Sequence, residues 1–205
     1  MSVKIVSALL ALASLAQAAP MIGTSDLCGF DELPESRREL IEAALETGGE
    51  VAGMPYLYGG NGAQFGGFDC SGAIYHVLRK VGLKPPRTSS DQYLWVRDHS
   101  RLHPVSVEAE NTEHESLSKL TPGDLVFWSG TYEPTDGRLT KVTHVAMFLG
   151  REKKDGRAVM INATNGRSYR GTKLDGYGVC DFRVPKKGGK SRMVGYGAPP
   201  GLGEK

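Results

Sequence analysis

Apolar and polar positions fall into helical spacing first and strand-like runs later. From Glu35 to Thr47, Leu40, Ile41, Ala44 and Leu45 recur on one face and charges occupy the other. Gly48-Gly49 directly after them predicts the helix end. A second helix is predicted from Cys70 to Val81, packing through Ile74, Val77, Leu78 and Val81 and closing at Gly82. Lys84-Pro85-Pro86 breaks the chain. Arg87-Thr88-Ser89-Ser90-Asp91 then reads as the entry to a short helix holding Gln92, Leu94 and Trp95. Residues 97–119 are polar, without a period, and read as a surface insertion.

Strands follow. Asp124 to Trp128 comes after the turn signal Thr121-Pro122-Gly123, Val142 to Leu149 is a second apolar run, and Ala158 to Ala163 a third. Lys153-Lys154-Asp155-Gly156 carries turn chemistry between the last two. Helices first and an antiparallel meander afterwards predict an α+β fold. No internal repeat interrupts this order.

The N-terminus changes the picture of where the chain works. Met1-Ser2-Val3-Lys4 carries one positive charge, residues 5–15 are apolar or small, and Ala16-Gln17-Ala18 offers small residues to a signal peptidase. This predicts a cleavable secretory signal over 1–18, an irregular lead-in over 19–34 and one domain over 35–205. The predicted destination is secreted or periplasmic. Cys28 is the first cysteine and lies too far along for a lipid anchor. No later stretch is long and apolar enough to span a bilayer, so no membrane contact is expected after signal removal. A net charge of +2 without a long basic run argues against nucleic acid. Lys186-Lys187 and Lys190-Ser191-Arg192 read as a solvated basic tail.

The candidate chemistry centres on Cys70. A cysteine in the first turn of a helix faces unpaired N–H groups and the positive end of the helix dipole, which favour the thiolate. His144, on an apolar strand, is a candidate base, expected to hold that thiolate as an ion pair. A turn centred on residue 153 places His144 opposite Asn162, whose amide would orient the imidazole. A one-residue slip would undo that pairing. The other histidines, His76, His99, His103 and His114, read as surface or insertion residues, and none forms a metal-ligand spacing with a cysteine. No metal or other cofactor is expected. Cys28 and Cys180 are left either to pair or to remain buried thiols.

Several segments, in this order, resemble the NlpC-type cell-wall peptidases, a branch of the papain-like superfamily. They are Pro55-Tyr56-Leu57-Tyr58-Gly59-Gly60, Phe68-Asp69-Cys70-Ser71-Gly72, Pro86-Arg87-Thr88-Ser89, Pro122-Gly123-Asp124-Leu125-Val126-Phe127 and His144-Val145-Ala146-Met147-Phe148-Leu149-Gly150. The resemblance covers roughly residues 40–165, and its specificity rests on the joint match. It implies a papain-like fold, with N-terminal helices packed on an antiparallel sheet. It also implies hydrolysis of peptidoglycan stem peptides, typically between D-glutamate and a diamino acid. Cys70 matches the nucleophile, His144 the base and Asn162 the third, polar position, where many members carry histidine. Tyr56 matches a tyrosine near the nucleophile and oxyanion, and Asp69 and Ser71 match positions that help recognise the substrate's peptide end. Tyr58 stands where tryptophan is common. The segment between Val96 and Leu120 is longer than the pattern and is expected to bear on the cleft. The alternatives are a related amidase or acyltransferase, or an inactive module that holds wall fragments.

Overall fold

Helix α1 (Glu35–Glu50) runs through Gly48-Gly49 instead of stopping there. The turn closes normally, with Val51 N–H donating to the Thr47 carbonyl, and Thr47 donates its hydroxyl to the Ala43 carbonyl at 2.8 Å. At Gly48 a β-carbon would collide with the Met21 side chain. Glycine there allows a close approach of the lead-in, not a helix stop. The computed structural model describes residues 20–203, so the signal-like segment 1–18 lies outside the described residues.

Helices α2 (Cys70–Lys80) and α3 (Ser89–Asp98) begin at side-chain caps. Asp69 accepts from Gly72 N–H, and Thr88 accepts from Asp91 N–H. A two-residue ladder, β1 (Asn61–Gly62) with β2 (Gly67–Phe68), sits in the glycine-rich loop before α2. The remaining strands are β3 (His103–Pro104), β4 (Leu125–Ser129), β5 (Val142–Arg151), β6 (Ala158–Thr164), β7 (Ser168–Tyr169), β8 (Thr172–Lys173), β9 (Gly176–Asp181) and β10 (Arg192–Gly197). Six of them form one antiparallel sheet in the order β3-β10-β4-β5-β6-β9. The fold is α+β, with helices packed on an antiparallel sheet.

Both sheet faces are covered, which explains why the central strands read as continuous apolar runs. Val145, Met147 and Leu149 of β5 join the cluster that contains Leu40, Ile41, Ile74 and Leu78 of the helices. Ala146 and Phe148 join the opposite cluster with Trp128, Met160, Phe182 and Tyr196. Tyr177 of β9 donates its hydroxyl to the Ala44 carbonyl at 2.8 Å and ties α1 to the sheet edge.

Residues 97–119 lie largely at the surface, as expected, but they also contribute to the core. They place Val105, Ala109 and Leu117 in the second cluster, and β3 extends the sheet beyond β10. Three apolar residues dispersed in a polar loop give no period, so only the sheet face they cover reveals them. The basic residues 186–192 are not a free tail. They join β9 to β10, and Lys187 pairs with Glu108 while its N–H donates to Glu110 at 3.2 Å. The three cysteines are free thiols, Cys28 exposed and Cys180 buried.

Candidate active site

Cys70 is the first residue of α2, and the chain before it is held by a compact polar frame. The Asp69 carboxylate accepts from Gly72 N–H at 2.6 Å, Gly59 N–H at 2.9 Å and the Ser71 hydroxyl at 3.2 Å. Arg87 adds donations to both carboxylate oxygens, at 3.0 and 3.1 Å. The same guanidinium reaches the Ser71 hydroxyl and the carbonyls of Gly59 and Gly60. Gln92, fully buried on α3, donates to the Ser71 and Pro86 carbonyls. A β-carbon at Gly72 would fall inside the Gly60 carbonyl oxygen, so only glycine lets the loop lie this close to α2.

Asp69 and Ser71 are therefore buried and engaged by internal donors. A substrate group reaching either must displace one of them. The framing roles of Arg87 and Gln92 have no local sequence signal: their partners lie six to 28 residues away. Replacing Arg87 with alanine strands a part-buried carboxylate and two carbonyls. The expected loss is ~3 kcal/mol of stability, to be read from the urea midpoint.

His144 and Asn162 meet, but in a different register from the simple turn count. β5 and β6 pair Met147 with Ile161 and Phe148 with Met160, the register shifts at Leu149, and the turn tip lies at Lys154-Asp155. Extending that register puts Asn162 opposite Ala146, so His144 and Asn162 are diagonal neighbours. A two-residue displacement keeps both side chains on one face, whereas one residue would have separated them. The Asn162 amide nitrogen lies 2.8 Å from His144 Nε2, and its Oδ1 accepts the Cys180 S–H at 3.3 Å. Trp128 packs against His144, with ring centroids 5.6 Å apart.

The Cys70 sulfur is met by the backbone N–H groups of Val145, next to His144, and of Ser71. No hydrogen bond joins Cys70 to His144 among the described residues. Burial pushes the Cys70 thiol up to about 11, with the Asp69 charge adding to it and the two N–H groups and Arg87 opposing. Burial also pushes His144 down to about 3, helped by the Arg167 cation. Both shifts favour the uncharged forms, opposite in direction to the ion pair expected from the helix terminus. Desolvation of both groups outweighs the helix-end field.

Tyr56 stands beside this pair. Burial and the neighbouring Cys70 and Asp69 raise its phenol pKa, which keeps the hydroxyl a donor. Its backbone N–H is fixed by Asp175 at 3.1 Å. The cleft above has a volume of about 710 Å³. Tyr56, Tyr58 and Tyr132 lie along it, with His144, Arg167 and Lys190 also in its lining. Tyr58 and Tyr132 meet edge to face at 5.9 Å. Among the described residues no cluster of His, Cys, Asp and Glu is suited to a metal ion. No helix among them is long and apolar enough to cross a membrane.

Comparison with known proteins gives concordant matches. The chain is 31% identical over 112 residues to the bifunctional muramidase/DL-endopeptidase CwlT of Bacillus subtilis, covering 55% of this chain and 27% of that protein. It is 30% identical over 147 residues to the peptidoglycan endopeptidase RipB of Mycobacterium tuberculosis, covering 66% of this chain and 49% of RipB. The chain thus spans less than half the length of these curated relatives. A crystal structure described as similar to lipoprotein, NLP/P60 family, from Staphylococcus aureus aligns with a TM-score of 0.49 and 26% identity, over 82% of this chain and 42% of that one. A profile described as the NlpC/P60 family matches residues 53–177, a span that contains Cys70, His144 and Asn162. On that match, which takes in more than half of the chain, this protein belongs to the NlpC/P60 family.

Proposed function

We propose that the protein is an exported cysteine endopeptidase that hydrolyses peptidoglycan stem peptides at the bond between D-glutamate and a diamino acid. The observation that carries this reading is the buried His144–Asn162 pair next to the strand amide that meets the Cys70 sulfur. The relatives' names supply the substrate class. The charged start, apolar run and small residues of segment 1–18 support export.

In this reading the Cys70 sulfur attacks the scissile carbonyl carbon as its proton passes to His144. The oxyanion is received by the Cys70 backbone N–H, which has no partner among the described residues, and by the Tyr56 hydroxyl. His144 then returns the proton to the leaving amine, and water, deprotonated by His144, hydrolyses the thioester. For Nδ1 of His144 to accept a proton, Nε2 must carry one. Turning the Asn162 amide over brings Oδ1 to that Nε2–H and leaves Nδ2 facing the Cys180 sulfur. Asn162 is the orienting residue. Tyr56 faces the substrate, and Asp69 and Ser71 help recognise the substrate's peptide end where it displaces Arg87 donors.

The test is incubation of the signal-free protein with peptidoglycan stem peptides, with products identified by mass spectrometry. Cleavage after D-glutamate is expected. Release at a different amide would point to the related amidase chemistry. Retention of every peptide intact, with measurable binding, would replace the enzyme by a wall-fragment binding module.

A further inference from the structure

Arg167 lies in the loop after β6, and its half-buried side chain lines the same cleft as His144. Its guanidinium carbon sits 4.4 Å from the centre of the Trp128 ring. Trp128 in turn packs on His144, so the cation is held one indole away from the imidazole. Arg87 and Arg138, the other arginines near this region, are paired with Asp69 and Asp136. Arg167 has neither a carboxylate nor a hydrogen-bond acceptor among the described residues, only the aromatic face.

Such a group is costly to keep. Burial disfavours its charge and lowers its pKa from the ordinary arginine value. An indole face stabilises a cation only modestly and leaves the five N–H donors unused. The fork of those donors matches a carboxylate in two parallel hydrogen bonds. Three tyrosines also line the cleft, which suits a peptide more than a polyanion, for which several converging cations are needed. Lys190 is the other cation of the cleft and is exposed at its rim.

We propose that Arg167 is a specificity-determining residue that binds a free carboxylate of the peptide beside the scissile amide. This rests on the endopeptidase reading above. A glutamyl residue joined through its side-chain carboxyl keeps its α-carboxylate free, and a diamino acid joined through one amine keeps a carboxylate of its own. Both lie within a few bonds of the cleaved amide. Amidation of the right one removes the charge that Arg167 receives.

The experiment compares three synthetic stem tripeptides: the free acid, the form amidated at the glutamyl α-carboxyl, and the form amidated at the diamino acid. Wild type, Arg167→Gln and Arg167→Lys are assayed on each. Binding of each peptide to Cys70→Ala and to Cys70→Ala/Arg167→Gln is measured by calorimetry. Wild type is expected to prefer the free acid over one amidated form. Arg167→Gln should raise KM for the free acid by about 10- to 100-fold, the range of a charge-assisted hydrogen bond. It should leave kcat and the discriminated amide nearly unchanged, and Arg167→Lys should restore part of the loss. Which amide is discriminated identifies the carboxylate. Equal effects of Arg167→Gln on all three peptides, or an effect on kcat alone, would overturn the proposal and assign the cation to the Cys70–His144 pair. Arg167-dependent binding without any cleavage would sustain the carboxylate site while removing the peptidase reading. Binding that ignores both amidation and Arg167 would remove the site itself.

Discussion

Cys70→Ala is expected to abolish stem-peptide hydrolysis, with kcat reduced at least about 10³-fold, while the thermal midpoint shifts little. The argument is geometric. Cys70 occupies the first helical position of α2, its sulfur is met by the amides of Val145 and Ser71, and its own N–H is free to meet an oxyanion. No other described cysteine can replace it: Cys28 is exposed on the lead-in and Cys180 is buried behind Asn162. The alanine side chain removes only a sulfur from a 6%-exposed site, so the Asp69–Arg87 frame and the Asn162–His144 pair stay in place. Steady-state kinetics with mass-spectrometric product identification and a parallel melting curve check this. A variant that retained wild-type turnover would remove Cys70 from the chemistry.

Alkylation of Cys70 by iodoacetamide should be slow at neutral pH and climb nearly tenfold per pH unit, levelling off near pH 11. The thiol is pushed up to about 11 by burial, and the thiolate is the species that reacts. Between pH 7 and pH 11 the rate should rise by roughly 10³- to 10⁴-fold. The sign follows from the raised pKa: below it the thiol stays protonated, and only above it does the anion dominate. Cys28→Ser removes the exposed competitor, and peptide mapping separates Cys70 from Cys180, whose thiol is pushed up to about 12. The rate constant is measured at each pH by the loss of the unmodified Cys70 peptide. Rapid labelling that already plateaus near pH 5 would mean a thiolate–imidazolium pair at rest. The downward shift of His144 also bears on the kinetic profile. His144 is pushed down to about 3, so kcat/KM should hold a broad plateau across the neutral range, without a step near the ordinary histidine pKa.

The parts of this site that were legible in the chain are those whose signals are local. Cys70 stands where a cap residue, Asp69, meets an apolar period, and helix termini are written in a few adjacent residues. His144 sits inside a run of buried strand residues where a polar side chain is conspicuous. Asn162 was placed by parity: strand periodicity of two fixes the face even when the pairing register is displaced by two residues.

What failed to show was non-local. β9 and β10 are rich in glycine, because neighbouring backbone comes close to them. At Gly197 a β-carbon would collide with the Arg101 carbonyl. Helix α1 continued through two glycines because Met21 packs on one of them, a contact between segments far apart in sequence. Residues 97–119 gained their role only when the second sheet face existed to be covered.

By itself the sequence determined the fold class, the three helices and central strands, the face shared by His144 and Asn162, and the family to which the chain belongs. These follow from spacing, caps and alternation, which act over a few residues. Only the tertiary structure decided the desolvation of the Cys70–His144 pair, the saturation of Asp69 by Arg87 and the unpaired state of Arg167 in the cleft. Each depends on desolvation and on charges brought together from distant elements, and neither quantity exists until the chain has folded.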